Sequence, residues 1–265
     1  NSTTTDGTFT VTQGKVECKA LSSLLLDGSG DYVNLSNTGG DLEFGDGSND
    51  SPFSISAWIK ADDATSGAIY GRQNELAFGL NGSDKLYFDI YDGTDSVVER
   101  QAATNTFTSN ENIWTHVVGT YSGVGGTSAN AGIKLYINGV AIAMTAGDAG
   151  SYTAMHDDIN GDSRIGAYIS GDYFDGDIRD FKLFDRELSA EQVASMYSNT
   201  YLPTPYHGYK MDEGGTSTAA DYGTSSTTIN ATLHGNAALG DSNGTLDLDG
   251  TLTIAANGTL SAPRG

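Results

Sequence analysis

"FDGDIRDFKLFDRELSAEQVASMY", residues 174–197, decides the fold, because it reads as a strand that runs into one short helix in a chain otherwise made of strand and turn. Ser189 and Gln192 stand at capping-box spacing, with Leu188 before the cap and Val193 after the first turn placed as a hydrophobic staple. Val193, Met196 and Tyr197 then share one face, which predicts a helix lying against the edge of a β-structure and shielding it. Pro203 and Pro205 follow closely and stop its continuation.

Outward from this segment, between Leu24 and Tyr201, runs of alternating apolar residues are separated by clusters of Gly, Asp, Asn and Ser. That spacing argues for an all-β sandwich or barrel. In "FSISAWIK" Phe53, Ile55, Ala57 and Ile59 fall on one face. In "KLYFDIYDG" Leu86, Phe88 and Ile90 alternate with Tyr87, Asp89 and Tyr91, as in half-buried antiparallel strands. "IKLYINGVAIAM" places Asn138-Gly139 between two apolar runs, the signature of a hairpin with a type I′ turn. Trp58 and Trp114 fall within strand patterns and are expected in the core.

The 265 residues are enough for one main domain with attachments, and 35 glycines are nearly twice the ~7% of average chains. Thirteen Lys and Arg stand against 34 Asp and Glu, a formal charge of −21. Such a charge repels phosphate backbones and anionic membranes, so nucleic acid is excluded as a partner and divalent cations fit better. A solvated acidic surface is the competing reading. Cys18 is the single cysteine, so an intrachain disulfide or thiolate metal cluster cannot form. No apolar run is long enough for membrane insertion as a spanning helix. A chain that starts at Asn1 without Met reads as processed or as a piece of something longer.

After "LPTP" the segment Tyr206–Leu239 is poorer in large apolar residues and is expected to lean on a neighbour. Near the end, "DGTLTIAANGTL" from Asp249 echoes "DGTFTVTQGKV" from Asp6, each a short strand, a turn glycine and another short strand. The echo points to a module inserted in an extended, repetitive protein.

Taken together and in order, "SGDYVNL", "FSISAWIK", "ENIWTHVVGTYSG", "IKLYINGV" and "YFDGDIRDFKLFDRELSAEQVASMY" resemble the laminin G-like domains of the concanavalin A-like lectin/glucanase superfamily. The resemblance implies a two-sheet antiparallel jelly-roll sandwich with one short capping helix, the strand around Asp177–Phe184 pairing near the first strand. "YHGYKMDEGG" resembles the opening of a second such domain. The expected division is therefore a strand-turn segment over 1–20, the jelly roll over 21–201, and a small β-rich segment over 202–265.

The resemblance also implies a structural calcium ion where the first and penultimate strands meet, held here by Asp27, Gly28 and Asp180. An inward Asp in an apolar strand needs a metal or a partner, and a salt bridge from Arg179 or Lys182 to Asp180 is the competing reading. Rim loops that offer an aromatic face beside amide or carboxylate groups suit a sugar. On that basis Tyr91 and Asp92 in "IYDGTD", and Tyr168, Asp172 and Tyr173 in "AYISGDYFDG", are the candidate ligand-binding residues.

Catalytic residues are not expected. Glucanases of the superfamily carry a Glu-x-Asp-x-Glu run that this chain lacks, and Asp175/Asp177, Asp247/Asp249 and Asp41/Glu43 read as turn formers or solvated carboxylates. His116 reads as a packing histidine within a strand, while His156, His207 and His234 read as loop residues. These features describe a non-enzymatic glycan-recognition or adhesion module on an extracellular, cell or virion surface, such as a phage appendage or decoration protein or a bacterial adhesin. Its partners would be surface glycans or neighbouring subunits. In the alternative, a purely structural unit, the terminal strands Thr8–Val16 and Thr245–Leu260 pair with neighbouring copies into a homo-oligomer or fibre. An enzyme would need a close carboxylate cluster on one concave sheet, which no strand pattern displays.

Overall fold

Alternation becomes pairing in the computed structural model. It describes residues 22–240 apart from 37–39, 94–96, 105–106, 147–150, 159–160 and 170, together with short strands at 10–11, 15–17 and 253–254, and one at 259–261. In chain order the first strands are β1 (Thr10–Val11), β2 (Lys15–Glu17), β3 (Ser22–Asp27), β4 (Tyr32–Leu35), β5 (Phe53–Ala61), β6 (Gly67–Arg72) and β7 (Leu76–Leu80). They are followed by β8 (Leu86–Tyr91), β9 (Val97–Ala102), β10 (Thr115–Tyr121), helix α1 (Ala129–Gly132), β11 (Ile133–Ile137), β12 (Val140–Ala141), β13 (Met144–Ala146) and β14 (Ser163–Ile165). The rest are β15 (Asp175–Phe184), α2 (Ala190–Tyr197), β16 (His207–Tyr209), β17 (Thr218–Ala219), β18 (Ala231–His234), β19 (Ala238–Asp241), β20 (Thr253–Ile254) and β21 (Thr259–Ser261).

Two antiparallel sheets form the sandwich. One runs β12-β11-β10-β5-β15-β3-β19, with β16 also on β15, and the other runs β13-β9-β8-β7-β6-β14-β4-β18-β17. Phe53, Ile55, Ala57 and Ile59 of β5 are fully buried against Phe78, Phe88 and Ile90 of the facing sheet. The Phe53 and Phe88 rings meet edge to face at 5.6 Å, an arrangement that adds to area burial. Asn138 and Gly139 take φ of 49° and 80°, as the type I′ hairpin between β11 and β12 requires. Ser189 and Gln192 make both bonds of the capping box. The helix packs somewhat differently from expectation. Its Val193 and Met196, with Leu188, bury onto Val118, Tyr136 and Phe184, so α2 covers the outer face of the first sheet.

The same face corrects the expectation for the tryptophans. Trp58 and Trp114 are half-buried on it, with the Arg179 guanidinium 5.5 Å and 4.1 Å from their respective ring centroids. His116 is buried there, with Nε2 3.0 Å from Ser56 Oγ, and desolvation, aided by Lys182, pushes its pKa down to about 3. It is a neutral packing histidine.

Residues 202–240, expected to lean on a neighbour as a small β-rich segment, are built into both sheets. β16 pairs with β15, β18 with β4, and β19 with β3. His207 and His234 accordingly lie in strands rather than loops. Buried His207 has Nδ1 2.7 Å from Asp221 Oδ2, and Asp221 also accepts the backbone N–H groups of Gly208, Gly223 and Ile229. The chain divides instead into a unit of residues 22–240 and a unit of 1–21 with 241–265. In the latter, β1 pairs with β20 and β2 with β21, both parallel. Thr10 lies against Thr253 and Val11 against Ile254, the same positions of the two echoing segments. These strands therefore pair within one chain, and Asp6–Phe9 and 245–252 lie outside the described residues.

A chain ending at residue 201 would lose buried Tyr209, Met211, Ile229 and Leu239. At ~1.5–3 kcal/mol for each large apolar side chain, that loss is comparable to a typical total stability of about 5–15 kcal/mol. A fragment of residues 22–240 is expected to melt cooperatively, whereas 22–201 should melt more than about 10 °C lower or fail to fold. Equal melting temperatures by circular dichroism would contradict this topology.

Candidate functional site

The outer face of the second sheet is shaped by what its strands lack. Leu76, Phe78 and Leu80 of β7 point into the core, which leaves Ala77 and Gly79 on the outside opposite Gly71 and Ala68 of β6, following the register of the pair. A Cβ at Gly71 would lie 2.7 Å from the Ala167 carbonyl oxygen and 2.8 Å from Tyr168 Cα. One at Gly79 would lie 2.3 Å from the Gly67 oxygen. These small residues form a trough, and the loop between β14 and β15 lies across it. The Ala68 N–H donates to the Asp172 carbonyl at 2.8 Å and the Phe174 N–H to Gly166 at 2.9 Å. Within the loop Ile169 and Asp172 both have φ of 49°. A β-branched residue in the left-handed region is strained, and such strain persists where surrounding structure enforces it.

Beside the trough, β8 alternates as the sequence predicts. Leu86, Phe88 and Ile90 are buried in the core, so Tyr87, Asp89 and Tyr91 stand on the outer face. The register with β9 sets Glu99 directly opposite Asp89 and Gln101 opposite Tyr87, at a spacing where cross-strand side chains interact. The resulting cavity of about 300 Å³ has Ala77 in its floor and Tyr87, Asp89, Tyr91, Glu99 and Gln101 along one side. Asn81, Tyr168 and Asp172 complete its walls. Tyr91 and Tyr168 are stacked, with centroids 5.8 Å apart and planes 12° from parallel.

Electrostatically the cavity is acidic. Burial, reinforced by the charge of Glu99, pushes the Asp89 carboxyl up to about 8, although the Tyr91 hydroxyl and the Arg100 N–H favour its ionised form. Desolvation also raises the phenols of Tyr87, Tyr91 and Tyr168 above their ordinary value, with Asp89 adding to each.

Three candidate ligand residues, Tyr91, Tyr168 and Asp172, line this cavity, while Asp92 and Tyr173 lie outside its lining. Tyr173 instead bridges to Ala68 beside the loop. The residues that sequence reasoning missed are Tyr87, Asp89, Glu99 and Gln101. Their outward phase on β8 was readable, but the Asp89–Glu99 juxtaposition depends on a strand register. A pair of carboxylates on one sheet face is thus present, where none was expected.

The calcium set does not converge. Asp27 is exposed, accepts the Ser29 N–H at 2.9 Å as a turn former, and pairs across the ladder with Asp175. Gly28 follows it in that turn with φ of 73°. Asp180 lies five residues beyond Asp175 on β15, about 16 Å away at the ~3.3 Å rise of a strand. It takes φ of 50° at a bulge, forms an ion pair with Lys182 and accepts the Tyr222 hydroxyl. Asp27, Gly28 and Asp180 therefore do not fit one ion. Among the described residues no group of three or more His, Cys, Asp or Glu is arranged for a metal.

A family model described as the concanavalin A-like lectin/glucanases superfamily matches residues 27–194. The chain belongs to that superfamily, as a laminin G-like jelly roll. The comparison with curated proteins gives no match. Among solved structures, a putative carbohydrate binding protein from Bacteroides ovatus is 18% identical with a TM-score of 0.55; the match covers 82% of this chain and 59% of that one. A SAP-like pentraxin from Limulus polyphemus is 14% identical with a TM-score of 0.46, covering 69% and 84%. Mouse laminin α1 domains LG4-5 are 14% identical with a TM-score of 0.44, covering 64% and 44%. At such identities the Bacteroides likeness establishes fold.

The Asp89 environment has a pH consequence. A carboxyl raised in the folded state binds its proton there more tightly than in the unfolded chain, so its contribution to stability is full below about pH 4 and is lost as pH rises through about 8. Asp89→Asn should match the parent's melting temperature near pH 4 and exceed it increasingly up to about pH 9. A constant difference across that range, in thermal melts, would contradict the assignment.

Proposed function

We propose that this chain is a non-catalytic glycan-recognition module whose ligand sits in the cavity between β8, β9 and the 166–173 loop. The observation that carries the reading is the stacked Tyr91–Tyr168 pair beside convergent amides and carboxylates. Tyrosine faces pack against the C–H surface of a sugar ring, while Asn81, Gln101, Glu99 and Asp172 can bond its hydroxyls. The carbohydrate-binding description of the Bacteroides protein supports the same reading.

Against hydrolysis stands the sequence, which lacks the Glu-x-Asp-x-Glu run of the superfamily's glucanases. Among the described residues no helix is long and apolar enough to cross a membrane. The formal charge of −21 and the echoing terminal strands suit display outside the cell, on an extended surface protein or a virion such as a phage appendage. A second, structural reading is favoured by those terminal strands, whose parallel pairs at echoing positions are a pattern that further copies could extend.

Screening the folded chain on a glycan array is expected to give saturable binding without release of reducing sugar. Tyr91→Ala and Tyr168→Ala should each weaken the best ligand about tenfold or more, since losing a stacking face costs ~1 kcal/mol or more, with little change in melting temperature. No binding by a folded protein, or full binding by both variants, would refute the site; a concentration-dependent assembly with no glycan binding would favour the structural reading.

A further inference from the structure

The acidic groups that face the cavity come from three directions: Asp89 from β8, Glu99 from β9 and Asp172 from the overlying loop. Among the described residues β6 and β7 contribute no charge to the cavity and no Lys or Arg lines it. The nearest candidate, Arg100, pairs with Phe88, a core residue, so strand alternation directs it to the opposite face. Tyr87 adds an independent observation. It lines the cavity, and desolvation raises its phenol.

Resting on the glycan reading above, we infer that the sugar unit seated in this cavity carries a protonated amine, as in a glucosamine-type glycan, and is preferred over neutral and anionic units. An ammonium between Asp89 and Glu99 supplies the counter-charge that the protein does not. It relieves the like-charge repulsion that otherwise drives a proton onto one carboxyl of such a pair. The tyrosine faces attract the same cation. A uronate or sialate would meet Glu99 and Asp172 beside Asp89, with no compensating base among the described lining residues.

The test is calorimetric titration of the full chain with tetramers of glucosamine, N-acetylglucosamine and galacturonic acid. Low salt, chelator and about pH 6 keep an amine of ordinary pKa protonated. The glucosamine tetramer should bind at least about tenfold more tightly than the N-acetylated one, and the uronate should not bind. In Glu99→Gln, which keeps the side chain's shape at an exposed position, the preference should fall to about threefold or less. Equal or tighter binding of the neutral tetramer, or an undiminished preference in Glu99→Gln, overturns the inference and leaves the glycan site standing. If no glycan binds here or on the array, both fall together.

Discussion

The bulge at Arg179–Lys182 is the constraint on which the sandwich depends. β15 keeps β5 along one side, but on its other side it holds two strands in succession. Asp175–Ile178 pairs with β3 and Phe181–Leu183 with β16. One extra residue, Asp180, absorbs the register change at φ 50°, and its carboxylate is satisfied by Lys182 and Tyr222. A strand that turned smoothly there would carry one neighbour or the other. With the bulge, the sheet takes an early strand and a late one side by side, which is why the segment after "LPTP" belongs to the sandwich.

On the opposite sheet the site arises from an absence of side chains. Ala68, Gly71, Ala77 and Gly79 leave β6 and β7 bare, the loop through Tyr168 settles on them, and the taller residues of β8 and β9 become a wall. The loop is anchored at its base by a buried network. Arg72 donates to the Gly161 and Asp158 carbonyls and to Ser163, and pairs with Glu43 at 2.5 Å and Glu75 at 2.7 Å. Burial opposes the Arg72 charge, but Glu75, Tyr70 and Glu43 outweigh it and raise its pKa. Removing one partner of such a buried pair leaves an uncompensated charge, so the network fixes the approach to β14 and hence the loop that follows it.

Local signals were legible in the sequence. Asn138-Gly139 made its turn, Ser189 and Gln192 made their cap, and the phase of "KLYFDIY" put Tyr91 on the face that holds the cavity. What was not legible depends on pairing between distant segments. Nothing in "VVERQA" alone says that Glu99 will sit opposite Asp89, because that follows from register. β16 looked like a new beginning because its partner lies upstream on β15. Asp27 and Asp180 looked like a pair because the first and penultimate strands do meet, but the contact opposite Asp27 is Asp175. Trp58 looked like core because its strand is core on one face; it stands on the other.

The recognition proposed above rests on the acidic, tyrosine-walled cavity of a laminin G-like jelly roll. Its most direct test is to record backbone amide shifts of the isotopically labelled chain while adding an oligosaccharide that binds it. Perturbations should concentrate on Tyr87–Tyr91, Val97–Gln101 and the 166–173 loop. Perturbations confined to the opposite face, around Trp58, Trp114 and Tyr197, would place recognition there and contradict the assignment of the cavity.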